Sequence, residues 1–238
     1  MVEGIRIGGF QKQSLIDFPG KITSVVFTSG CNFRCGYCHN PELVLPEFFP
    51  ARDISCETIL AYLQKNQFLL DAVTITGGEP TMQVGLPLFI KEIKALGLQV
   101  KLDTNGTHPE MVKSLVGNQL IDYVAMDIKA PLSLCSYRKV VGNNFSENQL
   151  EKIKETACFL NEGNVPCEFR TTLAKPLLSV EDIKKMTGEL SGDYYLQQFV
   201  SGKCLSGNAG RYDAFEINET VSAVNSVKRE NLTIRLRT

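Results

Sequence analysis

The sequence predicts an α/β fold of parallel strands joined by crossover helices, arranged as an open curved sheet or partial barrel. Three observations lead there. Short β-branched runs recur along the chain, each followed by turn residues and then by apolar residues at helical spacing. About six such units can be traced, too few for the eight that close a complete barrel. Polar, glycine-rich clusters fall where these strands should end, the edge at which parallel α/β folds bind ligands.

Taken in order, the strand candidates are ITSVVFT (22–28), AVTIT (72–76), LQVKL (98–102), IDYVAMD (121–127), PCEFRTT (166–172) and YYLQQFV (194–200). Between them, helical spacing places Ile59, Leu60 and Leu63 on one face, then Leu86, Phe89, Ile90 and Ile93. Met111, Val112 and Leu115 follow, then Leu150, Ile153, Ala157 and Leu160, and Val180, Ile183 and Met186. A last pattern, Ile217, Val221 and Val224, precedes a closing strand candidate, LTIRLR (232–237). Alternation of this kind implies parallel pairing with crossover helices. The longest irregular pieces are expected at 39–56 and 201–212.

With 238 residues, no low-complexity segment and no long linker, one domain spanning 1–238 is the expectation. The net charge of −1 argues against broad electrostatic attraction to nucleic acid or an anionic membrane. The N-terminal stretch has no continuous apolar region with a small-residue cleavage site, and no run approaches eighteen apolar residues. No membrane span and a cytoplasmic location are therefore expected. A reducing compartment turns the eight cysteines towards metal ligation or catalysis rather than disulfides.

After the first predicted strand comes CNFRCGYCHN, with thiols at Cys31, Cys35 and Cys38 and no fourth cysteine close by. Zinc could take these three and His39, although His39 adjoins Cys38 directly, which makes closing a tetrahedron awkward. Cys35-Gly-Tyr-Cys38-His39 is literally a haem-attachment pattern, but that would leave Cys31 without a role and needs an exported chain. A redox dithiol at Cys35 and Cys38 is a third reading. The fourth is a 4Fe–4S cluster held by three thiolates, its remaining iron open to a substrate or cofactor.

At this point the chain resembles a known family. Cys31-x-x-x-Cys35-x-x-Cys38 with Tyr37 before the third cysteine, followed after the second strand by Gly77-Gly78-Glu79-Pro80, looks like the two leading motifs of radical S-adenosylmethionine enzymes. SLIDFPGK (14–21), CHNPEL (38–43), DTNG (103–106) and MDIKAP (126–131) are similar to the subgroup that activates glycyl-radical enzymes, nearest to activating proteins of anaerobic ribonucleoside-triphosphate reductase. The likeness runs from about residue 7 to the sixth strand. It implies a partial (β/α)6 barrel carrying one 4Fe–4S cluster on Cys31, Cys35 and Cys38.

It also implies the reaction. S-adenosylmethionine chelates the open iron, is cleaved reductively to methionine and a 5′-deoxyadenosyl radical, and that radical takes hydrogen from a glycine of a partner enzyme. Carried over by motif, Tyr37, Cys38 and His39 line the adenine side, and Gly77 and Gly78 let backbone approach the cofactor. Glu79 meets the methionine ammonium. Asp103, Asp127, Lys129 and Arg170 lie by the ribose or carboxylate, and Asp103, Thr104 and Asp127 can hold a monovalent cation there. Where pyruvate formate-lyase activases present a histidine in the sixth strand, this chain has Gln198.

Each of these residues has a plainer reading. Asp103 to Gly106 makes a good turn, Asp127 and Lys129 could form a solvated strand end, and Arg170 could pair structurally with Glu168 or Asp127. His108 reads as the start of a helix with no assigned role. Cys56, Cys135, Cys158, Cys167 and Cys204 lack ligand spacing and are expected as buried structural thiols. With no sign of further clusters, the electron would come from flavodoxin or ferredoxin. The alternative is a radical enzyme acting on a small molecule or an RNA base, and a third class is a non-catalytic metal protein.

Overall fold

In the computed structural model, residues 2–207, 210–225 and 231–237 are described. Eight strands run in one sheet whose spatial order is their chain order. They are β1 (Ile7–Ser14), β2 (Thr23–Thr28), β3 (Ala72–Gly77), β4 (Gln99–Thr104), β5 (Tyr123–Asp127), β6 (Cys167–Leu173), β7 (Gly192–Gln198) and β8 (Leu232–Arg237). The six strands read from the sequence are β2 to β7, and the closing candidate is β8. The fold is mostly parallel α/β, as expected; β1 is the addition. Two glycines, a polar run and two register shifts against β2 hide its alternation.

The helices are α1 (Pro41–Val44), α2 (Cys56–Asn66), α3 (Leu86–Ala95), α4 (Pro109–Gly117), α5 (Leu134–Val141), α6 (Glu147–Asn161), α7 (Val180–Glu189) and α8 (Ile217–Asn225). The stretch 39–56, expected to be irregular, contains α1 and a 3-10 turn at Pro46–Phe48. Within 201–212, residues 208 and 209 lie outside the described residues. Helix α5 was not anticipated, because its buried face of Tyr137, Val140 and Val141 is short and interrupted by Arg138 and Lys139.

Two compact units divide the contacts, and β5 contributes residues to both. The first comprises Met1–Asn32, Asn40–Thr104 and His108–Ala125. Here β1 pairs antiparallel with β2, and β2, β3 and β4 are parallel in register, Val25 opposite Thr74 and Thr74 opposite Lys101. Strand β2 buries residues on both faces, the mark of a parallel strand covered on either side. In α3 the residues Leu86, Phe89, Ile90 and Ile93 are fully buried, at the i, i+3, i+4, i+7 spacing of an amphipathic helix. Ser55 caps α2 by accepting from the Thr58 amide.

The second unit comprises Phe33–His39, Asn105–Thr107 and Met126–Thr238. Strands β6, β7 and β8 are parallel, and the Ile128 amide donates to the Arg170 carbonyl beside the end of β5. Helices α6 and α7 begin with reciprocal capping boxes, Ser146 with Gln149 and Ser179 with Asp182. Glu168 is fully buried. It receives a bidentate pair from Arg237 at 3.1 and 2.9 Å, which ties β8 to β6.

Candidate functional site

In the first unit, two loops after neighbouring strands are tied by backbone bonds. The Gly78 amide donates to Thr28 O at 2.8 Å and the Glu79 amide to Gly30 O at 2.7 Å, just before Cys31. A β-carbon at position 78 would lie 2.1 Å from Gly30 O, so only glycine permits this approach. Glu79 is 1% exposed. Its Oε1 accepts from the Thr81 amide at 3.1 Å, the Thr81 hydroxyl at 2.5 Å and the Thr104 hydroxyl at 2.7 Å.

Asp103, on the same strand as Thr104, is paired with Lys101, a fully buried lysine two residues earlier on the same face of β4. Sequence reading missed Lys101. The signal was available, because residues two apart on a strand share a face. Thr81 and His108 were missed as well. Nδ1 of His108, just before α4, lies 3.2 Å from the Thr81 hydroxyl.

In the second unit, Phe33–His39 folds as a tight loop in which the Cys38 amide donates to Cys35 O. Leu205 and Ser206 donate their amides to Cys38 O and Gly36 O, pinning the loop from outside. The His39 ring stacks on Phe199 and donates from Nε2 to Val200 O at 2.9 Å, which leaves Nε2 unable to ligate a metal. Among the described residues no three His, Cys, Asp or Glu side chains form a group suited to a single metal ion.

The same unit gathers Asp127, Lys129 and Arg170. Asp127 accepts from Lys129 Nζ and Arg170 Nε, each at 2.9 Å, with side-chain exposures of 27%, 15% and 12%. The three form a largely buried ion triad, not a solvated strand end. Burial pushes the Asp127 carboxyl up, but Arg170 and Lys129 outweigh it and hold the group at about 2. Burial opposes the charge on Lys129, yet Asp127 keeps it raised well above the usual value, with Tyr37 and Cys35 adding to the effect.

Burial drives the Cys35 thiol up to about 11, with Lys129 pulling the other way. The Tyr37 hydroxyl is raised further, again by burial first. That hydroxyl is buried with no hydrogen-bond partner, as is Oε1 of Gln198. An unpaired buried polar atom is costly unless something fills its valence. Three thiols in one short segment and two such orphaned atoms on residues assigned to a cofactor fit a thiolate-held cluster with a polar ligand nearby.

Of the other cysteines, Cys56 and Cys204 are buried and Cys167 is half-buried, but Cys135 and Cys158 are exposed. The expectation of buried structural thiols fails for those two, which lie on the polar faces of amphipathic helices α5 and α6. Among the described residues no disulfide joins any two cysteines. Among the described residues no helix is long and apolar enough to cross a membrane.

Loops at the C-terminal ends of parallel strands, carrying soft thiols and paired charges, point to the class: a cofactor-dependent α/β enzyme. The chain belongs to the radical SAM superfamily, whose family model matches residues 25–157. Membership implies a 4Fe–4S cluster and S-adenosylmethionine. A Methanocaldococcus jannaschii protein provisionally named a glycyl-radical enzyme activating enzyme is 36% identical over 198 residues, 81% of this chain and 79% of that one.

Pyruvate formate-lyase-activating enzyme of Clostridium pasteurianum is 33% identical over 54% of each chain. The 7-carboxy-7-deazaguanine synthase of Aquifex aeolicus is 33% identical over 57% of this chain and 63% of its own. Among solved structures, Streptococcus suis SuiB bound to its precursor peptide SuiA superposes with a TM-score of 0.66 at 16% identity. That match covers 90% of this chain and about half, 48%, of SuiB, and it speaks for the fold.

Proposed function

We propose that this enzyme is an activase that abstracts hydrogen from a backbone glycine of a partner glycyl-radical enzyme, of the anaerobic ribonucleotide reductase type. The observation that carries the reading is the 36% identity to the M. jannaschii activating protein across four-fifths of both chains. The likeness to pyruvate formate-lyase-activating enzyme supports it. We read 1–238 as one catalytic domain, with flavodoxin or ferredoxin as the electron donor.

In this reading Cys31, Cys35 and Cys38 hold the cluster, which with S-adenosylmethionine supplies one electron and a carbon-centred radical. The chain's own residues orient the cofactor. Glu79, buried and held by three donors, keeps a fixed acceptor for an ammonium group. Tyr37, Cys38 and His39 flank the adenine, and Gly77 and Gly78 admit the cofactor backbone-close. Lys129 and Arg170 supply the positive charge that a carboxylate needs, and Gln198 offers an amide oxygen without a partner. A monovalent cation would have to share Asp103 with Lys101 and Asp127 with Lys129 and Arg170, with Thr104 already bonded to Glu79. Our reading does without it.

A second reading, a radical enzyme acting on a small molecule, is favoured by the match to 7-carboxy-7-deazaguanine synthase. One experiment separates them. The protein is reconstituted anaerobically with iron and sulfide, reduced, and mixed with S-adenosylmethionine and a candidate glycyl-radical enzyme. The activase reading expects 5′-deoxyadenosine and an EPR doublet from a glycyl radical on the partner, both lost in Cys35→Ala. Turnover on a small substrate with no doublet on any anaerobic reductase or lyase selects the second reading.

A further inference from the structure

Lys101 lies on β4 with 2% of its surface exposed, and its ammonium is ion-paired with the Asp103 carboxylate. Residues two apart on a strand share a face, so the strand itself holds the two groups together. Strand β3 runs alongside and sets the fully buried Thr74 opposite Lys101. The Thr74 hydroxyl is engaged with that of Thr23 at 3.1 Å. Lysine is almost never fully buried unless it is paired, because an isolated ammonium away from water is very costly. Asp103 supplies the pairing.

Asp103 and Thr104 are also two of the three residues that the family resemblance offers to a monovalent cation, Asp127 being the third. They do not fit such an ion. Asp103 already has a buried positive charge beside it, and the Thr104 hydroxyl is turned to Glu79 Oε1 at 2.7 Å. In the second unit Asp127 carries both Lys129 and Arg170. A further cation on Asp103 would stand close to the ammonium, and like charges repel strongly where water is scarce. An ammonium has the same single charge as a potassium ion. Being part of the chain, it is not lost on dilution or exchanged with the salt.

We propose that Lys101 takes the place of the monovalent cation: its ammonium is a built-in counter-charge that positions Asp103 at the cofactor, so S-adenosylmethionine binding needs no added potassium or sodium. Lys101 is a positioning residue that acts through Asp103. The proposal rests on the reading that sets Asp103 beside the cofactor, and not on the choice of glycyl-radical partner.

The test is anaerobic calorimetric titration of S-adenosylmethionine into the full-length, cluster-reconstituted protein. Potassium, sodium and tetramethylammonium chlorides are compared at equal ionic strength, the last being too bulky to reach a buried carboxylate. The wild type should bind equally in all three, within about twofold. Lys101→Met should bind about tenfold more weakly in tetramethylammonium and return to within about threefold of the wild type in potassium. Lys101→Met combined with Asp103→Asn should not respond to potassium. Should Lys101→Met fail to fold, Lys101→Gln is expected to show the same pattern.

A purely structural lysine predicts weakened binding that no cation restores, and that result overturns the proposal. So does wild-type binding that tightens about threefold or more in potassium or sodium. Asp103→Asn binding as tightly as the wild type would overturn the placement of Asp103 by the cofactor, and the proposal with it.

Discussion

His108 Nδ1 stands 3.2 Å from the Thr81 hydroxyl, and that hydroxyl is 2.5 Å from Glu79 Oε1. Donor accounting fixes the direction of this chain. An ionised carboxylate only accepts, so Thr81 gives its single proton to Glu79, and its oxygen must accept from a protonated Nδ1 of His108. His108 is thus a positioning residue two bonds away from the proposed ammonium acceptor. His108→Phe is expected to weaken S-adenosylmethionine binding by about threefold to tenfold, the worth of one neutral hydrogen bond. His108→Asn, which restores a donor near the Nδ1 position, should recover most of it. Titration calorimetry on the reconstituted protein reads both, and equal affinities in the two variants would count against the relay.

The Asp127 carboxyl, held at about 2 by Arg170 and Lys129 against the opposing effect of burial, makes stability depend on pH. Its folded value lies below the ordinary carboxylate value, so the contribution is fully present above about pH 4 and disappears as pH falls through about 2. The shift corresponds to ~2 kcal/mol. Asp127→Asn should lose about that much at neutral pH, where two buried cations also lose their counter-charge. Denaturant unfolding from about pH 5 down to about pH 2 should show a falling limb in the wild type that is shallower in the variant. Parallel limbs would remove Asp127 from the acid response.

Gly78→Ala tests the close approach of the loops that follow β2 and β3 in the first unit. The added carbon would stand 2.1 Å from Gly30 O and 3.0 Å from Leu43 O, both backbone atoms that cannot rotate away. A shift of the loop is required, at a cost of about 1–3 kcal/mol of overpacking. The hydrogen bond from the Glu79 amide to Gly30 O should be lost with it. Lowered thermal stability together with a loss of cofactor-dependent 5′-deoxyadenosine is the expected outcome. Wild-type behaviour in both assays would show that the loops need not meet so closely.

Much of this molecule was legible beforehand, for a physical reason. Strands β2 to β5 were found within a few residues because a strand buried on both faces reads as an apolar run, whatever surrounds it. Cys31, Cys35, Cys38 and the glycines of Gly77-Gly78-Glu79-Pro80 announce themselves because thiol spacing and glycine placement are properties of a short segment. Strand β1 and helix α5 were not legible, since their partners supply what their own patterns lack. The two exposed thiols, Cys135 and Cys158, show that residue type alone does not decide burial.

Sequence by itself determined the class of fold, the order of its glycine- and thiol-bearing loops and the spacing of the three thiols, because local periodicity and motif spacing are written in consecutive residues. Tertiary structure alone decided which charges neutralise one another: Asp127 with Lys129 and Arg170, Glu168 with Arg237, and Asp103 with Lys101. Electrostatic pairing falls steeply with distance in space and is indifferent to distance along the chain, so no linear pattern could have fixed it.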